Sequence, residues 1–214
     1  MIIAIDGPAG VGKSTIAERV AKELGMVYVN SGMFYRAITY AHLESGEDPS
    51  DQAAVLETAK TTHLSLVCGR IHLRGQDIEE HLHTDAVDAF VAHHSANVEL
   101  RHIVNAAIRS LTTGIGAVIE GRDIGTVVYP DASLKVYLDA TPLVRAHRRF
   151  SQGISEKTVE ELAQNIQMRD EIDKNKKEGR LRVAEGALYL DTSHLTIEEV
   201  CERVIKQYMK SSSL

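Results

Sequence analysis

Eight residues near the N-terminus, GPAGVGKS (7–14), have the types and spacing that bind a polyphosphate. The glycines let the backbone curl so that its N–H groups face one anion, and a helix beginning near Lys13 would add the positive end of its dipole. We expect Lys13 to reach the β- and γ-phosphates of a nucleotide and the Ser14 hydroxyl to ligate Mg²⁺. An apolar run precedes the motif and a helical pattern follows it, which is the context that the motif requires. The segment is therefore predicted to be a nucleotide-binding phosphate loop.

A second anion site is indicated by NSGMFYR (30–36). This segment follows another apolar run, and open α/β sheets bind ligands beyond the carboxyl ends of their strands. Ser31 and Arg36 lie five residues apart there, so a hydroxyl and a guanidinium are available for a second phosphate group. A kinase that acts on a small molecule needs such a site opposite its phosphate loop, with a lid that excludes water.

The segment EGRDIGTVVYP (120–130) offers charged side chains in the same kind of position. Glu120 ends an apolar run near the expected position of the phosphate loop, as a carboxylate close to a bound metal would. Arg122 and Asp123 stand between two glycines, where a side chain can point into a cleft. An Arg–Asp pair in a loop is usually a surface ion pair that contributes little to stability. The place of this pair beside a phosphate loop favours a ligand-binding role instead.

Residues 169–182, RDEIDKNKKEGRLR, contain ten charged side chains, six basic and four acidic. A run of mixed charge is usually a solvated helix face. In a chain with two predicted phosphate sites, we interpret the run as the cationic edge of a lid. Arg169 and Asp173 are expected to face inward, while much of the remaining acidic charge is solvated.

Strands that alternate with helical patterns are expected to position these groups. Short, nearly continuous apolar runs are typical of parallel strands buried on both faces. Such runs lie at 2–5, 27–29, 117–120, 134–138 and 187–190. Together with the helices between them, they predict an α/β doubly wound fold.

Three helices are indicated by local signals. Residues 13–24 place apolar side chains at helical spacing before a glycine. Thr141 and Pro142 have the types of an N-cap and a first helical residue. Thr196 and Glu199 have the spacing of a capping box, so a closing helix is expected after them.

Two stretches do not fit a simple alternation of strands and helices. Almost ninety residues separate the second and third predicted strands, too many for one crossover, so a subdomain is expected there. Within it, residues 64–75 resemble a hairpin and residues 85–111 look helical. The second stretch, about 148–184, interrupts the core between the fourth and fifth strands.

Composition excludes several classes of protein. The 214 residues are 43% hydrophobic and 25% charged, as in ordinary globular proteins. The net charge of −6 argues against a nucleic-acid or membrane binder, which would usually present a basic surface. No apolar run approaches the roughly 20 residues of a membrane span, and the N-terminus lacks the features of a signal peptide. Cys68 and Cys201 lie far apart and outside any CxxC pattern, so neither a disulfide framework nor a zinc site is predicted. We expect a cytoplasmic protein.

The ten histidines do not suggest a metal site. The densest groups are HLH at 81–83 and the pair His93 and His94, and nothing nearby completes a ligand set. These histidines are expected to be exposed or to pack in the core.

The phosphate loop by itself does not identify the phosphoryl acceptor. Switch GTPases typically carry an NKxD motif, whereas Asn175 and Lys176 are followed here by Lys177 and Glu178, with no acid where that motif needs one. A small-molecule kinase accounts better for the second anion site and the lid.

Five segments occur in the order and spacing found in bacterial cytidylate kinases: IDGPAGVGKST, NSGMFYRA, EGRDIGTVVYPDA, RDEID and LDTS. The chain resembles this family over nearly its whole length. EGRDIGTVV is the most specific segment, because generic nucleoside monophosphate kinases do not carry it. The resemblance implies a P-loop NMP-kinase fold, with a five-stranded parallel sheet flanked by helices, an enlarged NMP-binding insertion and a short lid.

The resemblance also implies a division of the chain. The CORE would comprise residues 1–30, 112–147 and 185–214. The NMP-binding insertion would comprise 31–111, and the LID 148–184. The two stretches that fit a simple alternation badly fall where the insertion and the lid would be.

Transfer of the γ-phosphoryl group of ATP to CMP or dCMP is the activity that the resemblance implies, with Mg²⁺ bound together with ATP and ligated by Ser14. The residues matched to ATP binding are Gly7, Pro8, Ala9, Gly10, Val11, Gly12, Lys13, Ser14 and Thr15. The residues matched to acceptor binding are Ser31, Arg36, Arg101, Arg122, Asp123, Arg169 and Asp173. The residues matched to catalysis are Lys13, Arg36, Arg122, Arg169 and Lys176.

Individual roles follow from the same resemblance. Arg36 and Arg122 would hold phosphate groups, and Arg101 would join Asp123 in reading the cytosine edge. The remaining acceptor contacts, near the sugar, would come from Arg169 and Asp173.

The lid departs from the family pattern. Where the family usually has RDxRDxxR, this chain has RDEIDKNK, so Ile172 and Lys176 replace arginines. Lysine keeps the charge but loses the two-pronged donor of arginine. Arg180 and Arg182 are candidates to compensate.

Two other functions stay open. One is a non-catalytic or regulatory nucleotide-binding protein that kept the phosphate loop. The other is a kinase for another small acceptor, such as UMP or dTMP. Asp123 with Arg101 favours cytosine, because its exocyclic amine donates a hydrogen bond where the uracil oxygen accepts one. The expected partners are ATP and CMP or dCMP, with no nucleic acid and no membrane, and the chain is expected to be a monomer.

Overall fold

The computed structural model of the chain describes residues 1–151 and 157–211. Residues 152–156 of the predicted lid and residues 212–214 of the predicted core lie outside the described residues. The chain divides into two compact units, one comprising Met1–Tyr28 and Gly116–Leu214 and the other Val29–Ile115. Among the helices of the described residues, none is both long and apolar enough to cross a membrane.

The described residues form eight strands and eight α-helices. The strands, in chain order, are β1 (Ile2–Asp6), β2 (Val27–Asn30), β3 (Leu64–Val67), β4 (Arg70–Leu73), β5 (Gln76–Asp77), β6 (Ala117–Gly121), β7 (Leu134–Asp139) and β8 (Leu188–Asp191). The α-helices are α1 (Lys13–Leu24), α2 (Ser31–Ser45), α3 (Gln52–Thr61), α4 (Asp85–His94), α5 (Val98–Thr112), α6 (Pro142–Ser151), α7 (Val159–Asn175) and α8 (Ile197–Ser211). A 3-10 turn covers Glu79–His81, and a π-helical turn covers Ile124–Val128.

The predicted five-stranded sheet is confirmed, with the strand order β2-β6-β1-β7-β8. The central strand β1 pairs in parallel with β6 and β7, and β7 pairs in parallel with β8. In this register Asp6 lies opposite Gly121 and Tyr137. The segments that follow β1, β6 and β7 therefore leave the sheet at the same edge, which is where open α/β sheets bind ligands.

The core of the first unit lies between this sheet and the helices α1 and α8. Its buried apolar side chains include Ile5 of the central strand, Val20 of α1 and Val204 of α8. The apolar side chains predicted at helical spacing within 13–24 are Ile16, Val20 and Leu24; the first two are buried and Leu24 is partly buried against the same core. Burial of apolar surface stabilises the fold by roughly 25 cal/mol per Å². This packed layer therefore fixes β1 and α1, the two elements that the phosphate loop connects.

The second unit contains helices α2 to α5 and a small antiparallel sheet of order β3-β4-β5. The hairpin predicted within 64–75 is confirmed as β3 and β4, whereas the short strand β5 was not predicted. The helical segment predicted at 85–111 is divided into α4 and α5. The break arises because Asn97 caps α5, its side chain accepting hydrogen bonds from the N–H groups of Glu99 and Leu100.

Three helix starts are set by local sequence. Helix α6 begins at Pro142 as predicted. The predicted capping box of α8 is confirmed, since the Thr196 N–H donates to Glu199 and the Glu199 N–H donates to the Thr196 hydroxyl. A second capping box, of Thr158 and Glu161 at the start of α7, was not predicted. Helix α7 packs on α6 and carries the first part of the charged run.

Candidate active site

The phosphate loop connects β1 to α1, as predicted. Helix α1 begins at Lys13, and the preceding Gly12 has a left-handed φ of 96°. At Gly7 a side chain is excluded by packing, because a Cβ there would lie 2.3 Å from the carbonyl oxygen of Leu138. Glycine is therefore required at Gly12 by backbone conformation and at Gly7 by the close approach of β7.

Lys13 folds back onto this loop. Its side chain is buried, and Nζ donates a hydrogen bond of 2.8 Å to the carbonyl oxygen of Pro8. Burial, followed by the nearby charge of Arg122, lowers the pKa of Lys13 to about 7, while Glu120 and Asp6 oppose this shift. In the ligand-free chain Lys13 is therefore only partly protonated at neutral pH. A triphosphate on the loop would restore its charge.

Binding of ATP is expected to take up a proton at Lys13 between about pH 7 and pH 9. The ligand-free amine loses its proton as the pH rises through about 7, whereas the triphosphate raises the pKa in the complex. The affinity for ATP should therefore fall as the pH rises through this window. Calorimetric titration with ATP in buffers of different ionisation enthalpy measures the uptake. Lys13→Arg, which stays charged, is the control, and equal proton uptake by the two proteins would contradict the prediction.

Asp6, at the end of β1, anchors the segment that follows β6. Its two carboxylate oxygens accept hydrogen bonds of 2.8 and 2.7 Å from the backbone N–H groups of Ile124 and Gly125. Burial raises the pKa of Asp6 to about 6, although these two hydrogen bonds oppose the shift. Sequence analysis missed this residue, although its position between an apolar run and the first glycine of the phosphate loop was a usable signal.

Glu120 ends β6 beside the same edge of the sheet. It is buried, and its Oε1 accepts a hydrogen bond of 2.8 Å from the Tyr28 hydroxyl. It lies close enough to Lys13 for its charge to raise the pKa of that amine. The expectation that Glu120 lies near the phosphate-loop lysine is therefore confirmed.

The oxygen donors around the loop fit a magnesium ion that is bound together with a nucleotide. Ser14 is exposed at the start of α1, close to the loop that would hold the phosphates. Among the described residues, no three His, Cys, Asp or Glu side chains could hold a metal by themselves. Mg²⁺ does not need such a cage, because it is usually bound by one or two protein oxygens, by waters and by the substrate phosphates. Ser14 would be its ligand here, and the ion would neutralise phosphate charge.

Three of the predicted site residues meet in one ion-pair group. Arg122 Nε lies 3.0 Å from Asp173 Oδ2, and Lys176 Nζ lies 2.6 Å from Asp173 Oδ1. Burial alone would raise the pKa of Asp173, but Arg122 and Lys176 outweigh it and hold that pKa below its usual value. Lys176, where the resemblance predicts an arginine, therefore stands beside Arg122 and is joined to it through one carboxylate.

The other predicted residues of the first unit are Asp123 and Arg169. Asp123 is buried, and its carbonyl oxygen accepts from the N–H groups of Val127 and Val128 at the π-helical turn. Arg169, which was expected to face inward together with Asp173, is exposed on α7, whereas Asp173 is buried as expected. Arg180 is one of the two lid arginines that could compensate for the arginines absent at 172 and 176. Its Nε donates a hydrogen bond of 2.7 Å to the carbonyl oxygen of Lys176.

The remaining predicted residues lie in the second unit. Ser31 is buried as the first residue of α2. Arg36, on the same helix, donates from Nη1 to the carbonyl oxygen of Leu82 at 2.7 Å. Arg101, on α5, is buried with its guanidinium carbon 5.6 Å from the centroid of the Tyr35 ring. Helices α2 and α5 pack against each other, so the unit holds these three polar side chains on two adjacent helices.

The histidines are exposed or packed in the core, as predicted. His94 is buried, with Nδ1 2.9 Å from the Thr39 hydroxyl oxygen and Nε2 2.9 Å from the carbonyl oxygen of Pro49. Burial lowers its pKa. His81, His83 and His93 are exposed.

Comparison with known proteins decides the family. A family model described as Cytidylate kinase matches residues 3–210. The chain belongs to the cytidylate kinase family. Cytidylate kinase 1 of Borreliella afzelii is 37% identical in an alignment 213 residues long that covers 97% of this chain and 96% of that protein. The cytidylate kinase of Caldanaerobacter subterraneus is 39% identical in an alignment 213 residues long that covers 98% of this chain and 95% of that protein.

Solved structures of low sequence identity share the fold of this cytidylate kinase family member. A shikimate kinase from Bacteroides thetaiotaomicron aligns with a TM-score of 0.55 at 14% identity, covering 100% of this chain and 99% of that one. An uncharacterized protein from Eubacterium ventriosum aligns with a TM-score of 0.55 at 13% identity, covering 98% of each chain. The predicted fold class, a parallel sheet flanked by helices as in P-loop kinases, is confirmed.

In this cytidylate kinase family member the phosphate loop is also held by Arg145, which sequence analysis missed. Arg145 donates to the carbonyl oxygens of Ala9 and Ala140, each at 2.9 Å. Two further hydrogen bonds, of 3.1 and 2.5 Å, join its guanidinium to both carboxylate oxygens of Asp170. Arg145 and Asp170 are both buried, so the first turn of α6 is tied to the loop through a fully paired charge.

Arg148 makes a similar contact one turn further along α6. Its Nη1 donates to the carbonyl oxygen of Val11 at 3.2 Å, and its guanidinium also bonds Thr192. In a trans peptide the N–H points away from the carbonyl, so fixing the carbonyls of Ala9 and Val11 directs the N–H groups of Gly10 and Gly12 to the opposite side. These two arginines could have been noticed in the sequence, because they lie three residues apart just after a predicted helix start.

Proposed function

We propose that this chain transfers the γ-phosphoryl group of ATP to CMP or dCMP, giving ADP and CDP or dCDP. The observation that carries the proposal is the buried Lys13 on a phosphate loop, close enough to Arg122 for the positive charge of that arginine to lower the pKa of Lys13, in a chain matched by the cytidylate kinase family over residues 3–210. The first basic group belongs to the donor loop. The second belongs to the segment EGRDIG, which is the most family-specific part of the sequence.

On the donor side, the N–H groups directed by Arg145 and Arg148 and the ammonium of Lys13 would hold the phosphates of ATP. Mg²⁺ bound with ATP, with Ser14 as protein ligand, would neutralise part of the phosphate charge. Because fixed donors need no rearrangement during transfer, their stabilisation applies fully to the charge of the transition state.

On the acceptor side, we propose that Arg36 and Arg122 hold the acceptor phosphate. Ser31 would add a hydroxyl contact, and Arg101 with Asp123 would read the cytosine edge. Near the sugar, Arg169 and Asp173 would complete the acceptor contacts, with Asp173 accepting from ribose hydroxyls.

The acceptor phosphate is already an anionic nucleophile, so the reaction needs cations more than it needs a base. Asp173 holds Arg122 and Lys176 beside each other in the ligand-free chain. We propose that phosphate takes over part of this pairing when nucleotide binds, so that Lys176 supplies charge where the family usually has arginine. We propose residues 148–184 as the lid and residues 31–111 as the acceptor-binding insertion, and a cytoplasmic monomer as the working form.

Release of ADP from ATP and Mg²⁺ with a panel of acceptors tests this proposal. CMP and dCMP should be turned over much faster than UMP, dTMP, AMP and GMP. Turnover chiefly of UMP or dTMP would replace the acceptor in the proposal. ATP binding without turnover of any acceptor would support a non-catalytic nucleotide-binding protein instead.

Replacing Asp123 with asparagine is expected to reduce the preference for CMP over UMP by about 10- to 100-fold. A carboxylate accepts from the cytosine amine and repels the uracil oxygen, whereas an amide can bond to either. The ratio of kcat/KM for the two acceptors measures the change. Asp131→Asn is the control, since Asp131 is exposed in the same unit. Unchanged selectivity in Asp123→Asn would remove Asp123 from base recognition.

A further inference from the structure

Asp88 is paired with Arg36. The guanidinium of Arg36 makes two contacts within the second unit: Nη1 donates to the carbonyl oxygen of Leu82 at 2.7 Å, and Nη2 lies 2.6 Å from Asp88 Oδ1. Arg36, the residue proposed to bind the acceptor phosphate, is therefore paired with an anionic group of the chain itself.

Local sequence brings this carboxylate to Arg36. Helix α4 begins at Asp85 after the N-cap Thr84, and Asp88 lies in its first turn. The carbonyl of Leu82 precedes that turn, so both partners of Arg36 come from one short segment. An acidic residue in the first turn is also favoured by the helix dipole, which gives Asp88 a stable position independent of any ligand.

The ion pair between Arg36 and Asp88 is exposed enough for a bound phosphate to replace Asp88. The side chain of Asp88 is 53% exposed and that of Arg36 is 22% exposed. Exposed ion pairs contribute only about 0–1 kcal/mol, because water competes for both groups. The pair of Arg145 and Asp170 differs in this respect, because its side chains are only 3% and 9% exposed and water hardly competes for them. A doubly charged phosphate group is therefore a stronger partner for Arg36 than Asp88 is.

We propose that Asp88 is a built-in competitor for the acceptor phosphate, acting through Arg36 and not on the nucleotide. This inference rests on the proposed function, in which Arg36 holds the phosphate of CMP or dCMP. In the ligand-free chain the carboxylate occupies Nη2, and acceptor binding exchanges it for phosphate. Asp88 then lies near the bound phosphate and repels it. Both effects weaken acceptor binding equally in the ground state and the transition state, so they raise KM and leave kcat unchanged.

Asp88→Asn tests the proposal, because asparagine keeps the size of the side chain and removes its charge. The variant is expected to bind CMP about three- to tenfold more tightly than the wild type, with a KM lowered to match and an unchanged kcat. Cytidine, which has no phosphate, should bind the variant and the wild type equally. Calorimetric titration with CMP and cytidine, together with steady-state kinetics, gives these values.

Asp85→Asn is the matched control. Asp85 lies in the same helical turn, is exposed and carries the same charge, so its loss changes the net charge and the helix terminus in the same way. Its affinity for CMP should stay within about twofold of the wild type. An equal gain in both variants would mean that general charge, and not the pairing with Arg36, sets the affinity, and this would overturn the proposal. Weaker or unchanged CMP binding by Asp88→Asn would overturn it as well.

Arg36→Ala separates this inference from the function on which it rests. If Arg36→Ala binds CMP as the wild type does, Arg36 does not hold the phosphate and the proposed acceptor site is wrong. If Arg36→Ala loses CMP binding while Asp88→Asn behaves as the wild type, only the inference about Asp88 fails. Thermal unfolding of each variant confirms that the chain is folded before its affinity is compared.

Discussion

Replacing Arg36 with alanine is expected to lower kcat/KM for CMP by about 10²- to 10³-fold. The guanidinium is the proposed two-pronged donor to the acceptor phosphate, and such charge-assisted pairs are the strong ones in a site that excludes water. The free energy of unfolding should fall only moderately. The variant loses a partly exposed ion pair to Asp88 and one hydrogen bond to Leu82, which together contribute about 1–2 kcal/mol.

The chain offers a matched control for this prediction. Arg70 and Asp77, also in the second unit, form an ion pair of the same length, 2.6 Å, with side chains 51% and 39% exposed. Arg70→Ala should therefore lose a similar interaction and keep its kcat/KM for CMP. Arg36→Lys should fall between the wild type and Arg36→Ala, because lysine keeps the charge without the fork. Near-normal kcat/KM in Arg36→Ala would remove Arg36 from the acceptor site.

The elements of the first unit could be predicted because each depends on local pattern. The apolar runs at 2–5 and 134–138 are continuous or nearly so, because both faces of their strands are covered, and such runs are easily recognised in the sequence. The phosphate loop could be predicted as well, because its glycines occupy positions where the backbone conformation or a close contact excludes a side chain. Helix starts at Pro142 and Thr196 were identified for the same reason.

The long-range contacts that hold the site in place could not be predicted from local sequence patterns. Asp6 bonds to N–H groups more than a hundred residues away, and Arg145 reaches both the phosphate loop and Asp170. Such contacts depend on which strands are neighbours, and a single sequence does not contain the strand order. The charged run at 169–182 was predicted only in part. Asp173 was expected to face inward and is buried and paired, whereas Arg169, expected to face inward as well, is exposed, and the burial of Asp170 was not predicted.

The structure also explains why a lysine can stand at position 176. Its Nζ contacts Asp173 Oδ1 while Arg122 contacts Oδ2, so the carboxylate brings the two cations together without needing a fork from either. A point charge is sufficient for this arrangement. The lysine, where the resemblance leads us to expect an arginine, is therefore compatible with a cationic edge at the proposed phosphate site.

The second large effect is expected from replacing Arg145, which donates a hydrogen bond to the carbonyl oxygen of Ala9 in the phosphate loop. Arg145→Ala should lower the free energy of unfolding by about 3–5 kcal/mol, because it leaves the buried carboxylate of Asp170 without its partner. It also leaves the carbonyl oxygens of Ala9 and Ala140 without their donor. Urea denaturation measures the loss. Arg149→Ala, on the exposed side of the same helix, is the control and should change stability by no more than about 0.5 kcal/mol.

A double variant separates the structural role of Arg145 from its role in nucleotide binding. In Arg145→Met with Asp170→Leu, the buried pair is replaced by apolar groups, which is often neutral for stability or even stabilising. Much of the lost stability should therefore return. The affinity for ATP should stay reduced by about tenfold or more, because the carbonyl of Ala9 is no longer fixed and the N–H of Gly10 loses its orientation. Wild-type ATP affinity in the double variant would show that the loop keeps its shape without Arg145, and that the buried pair serves the fold alone.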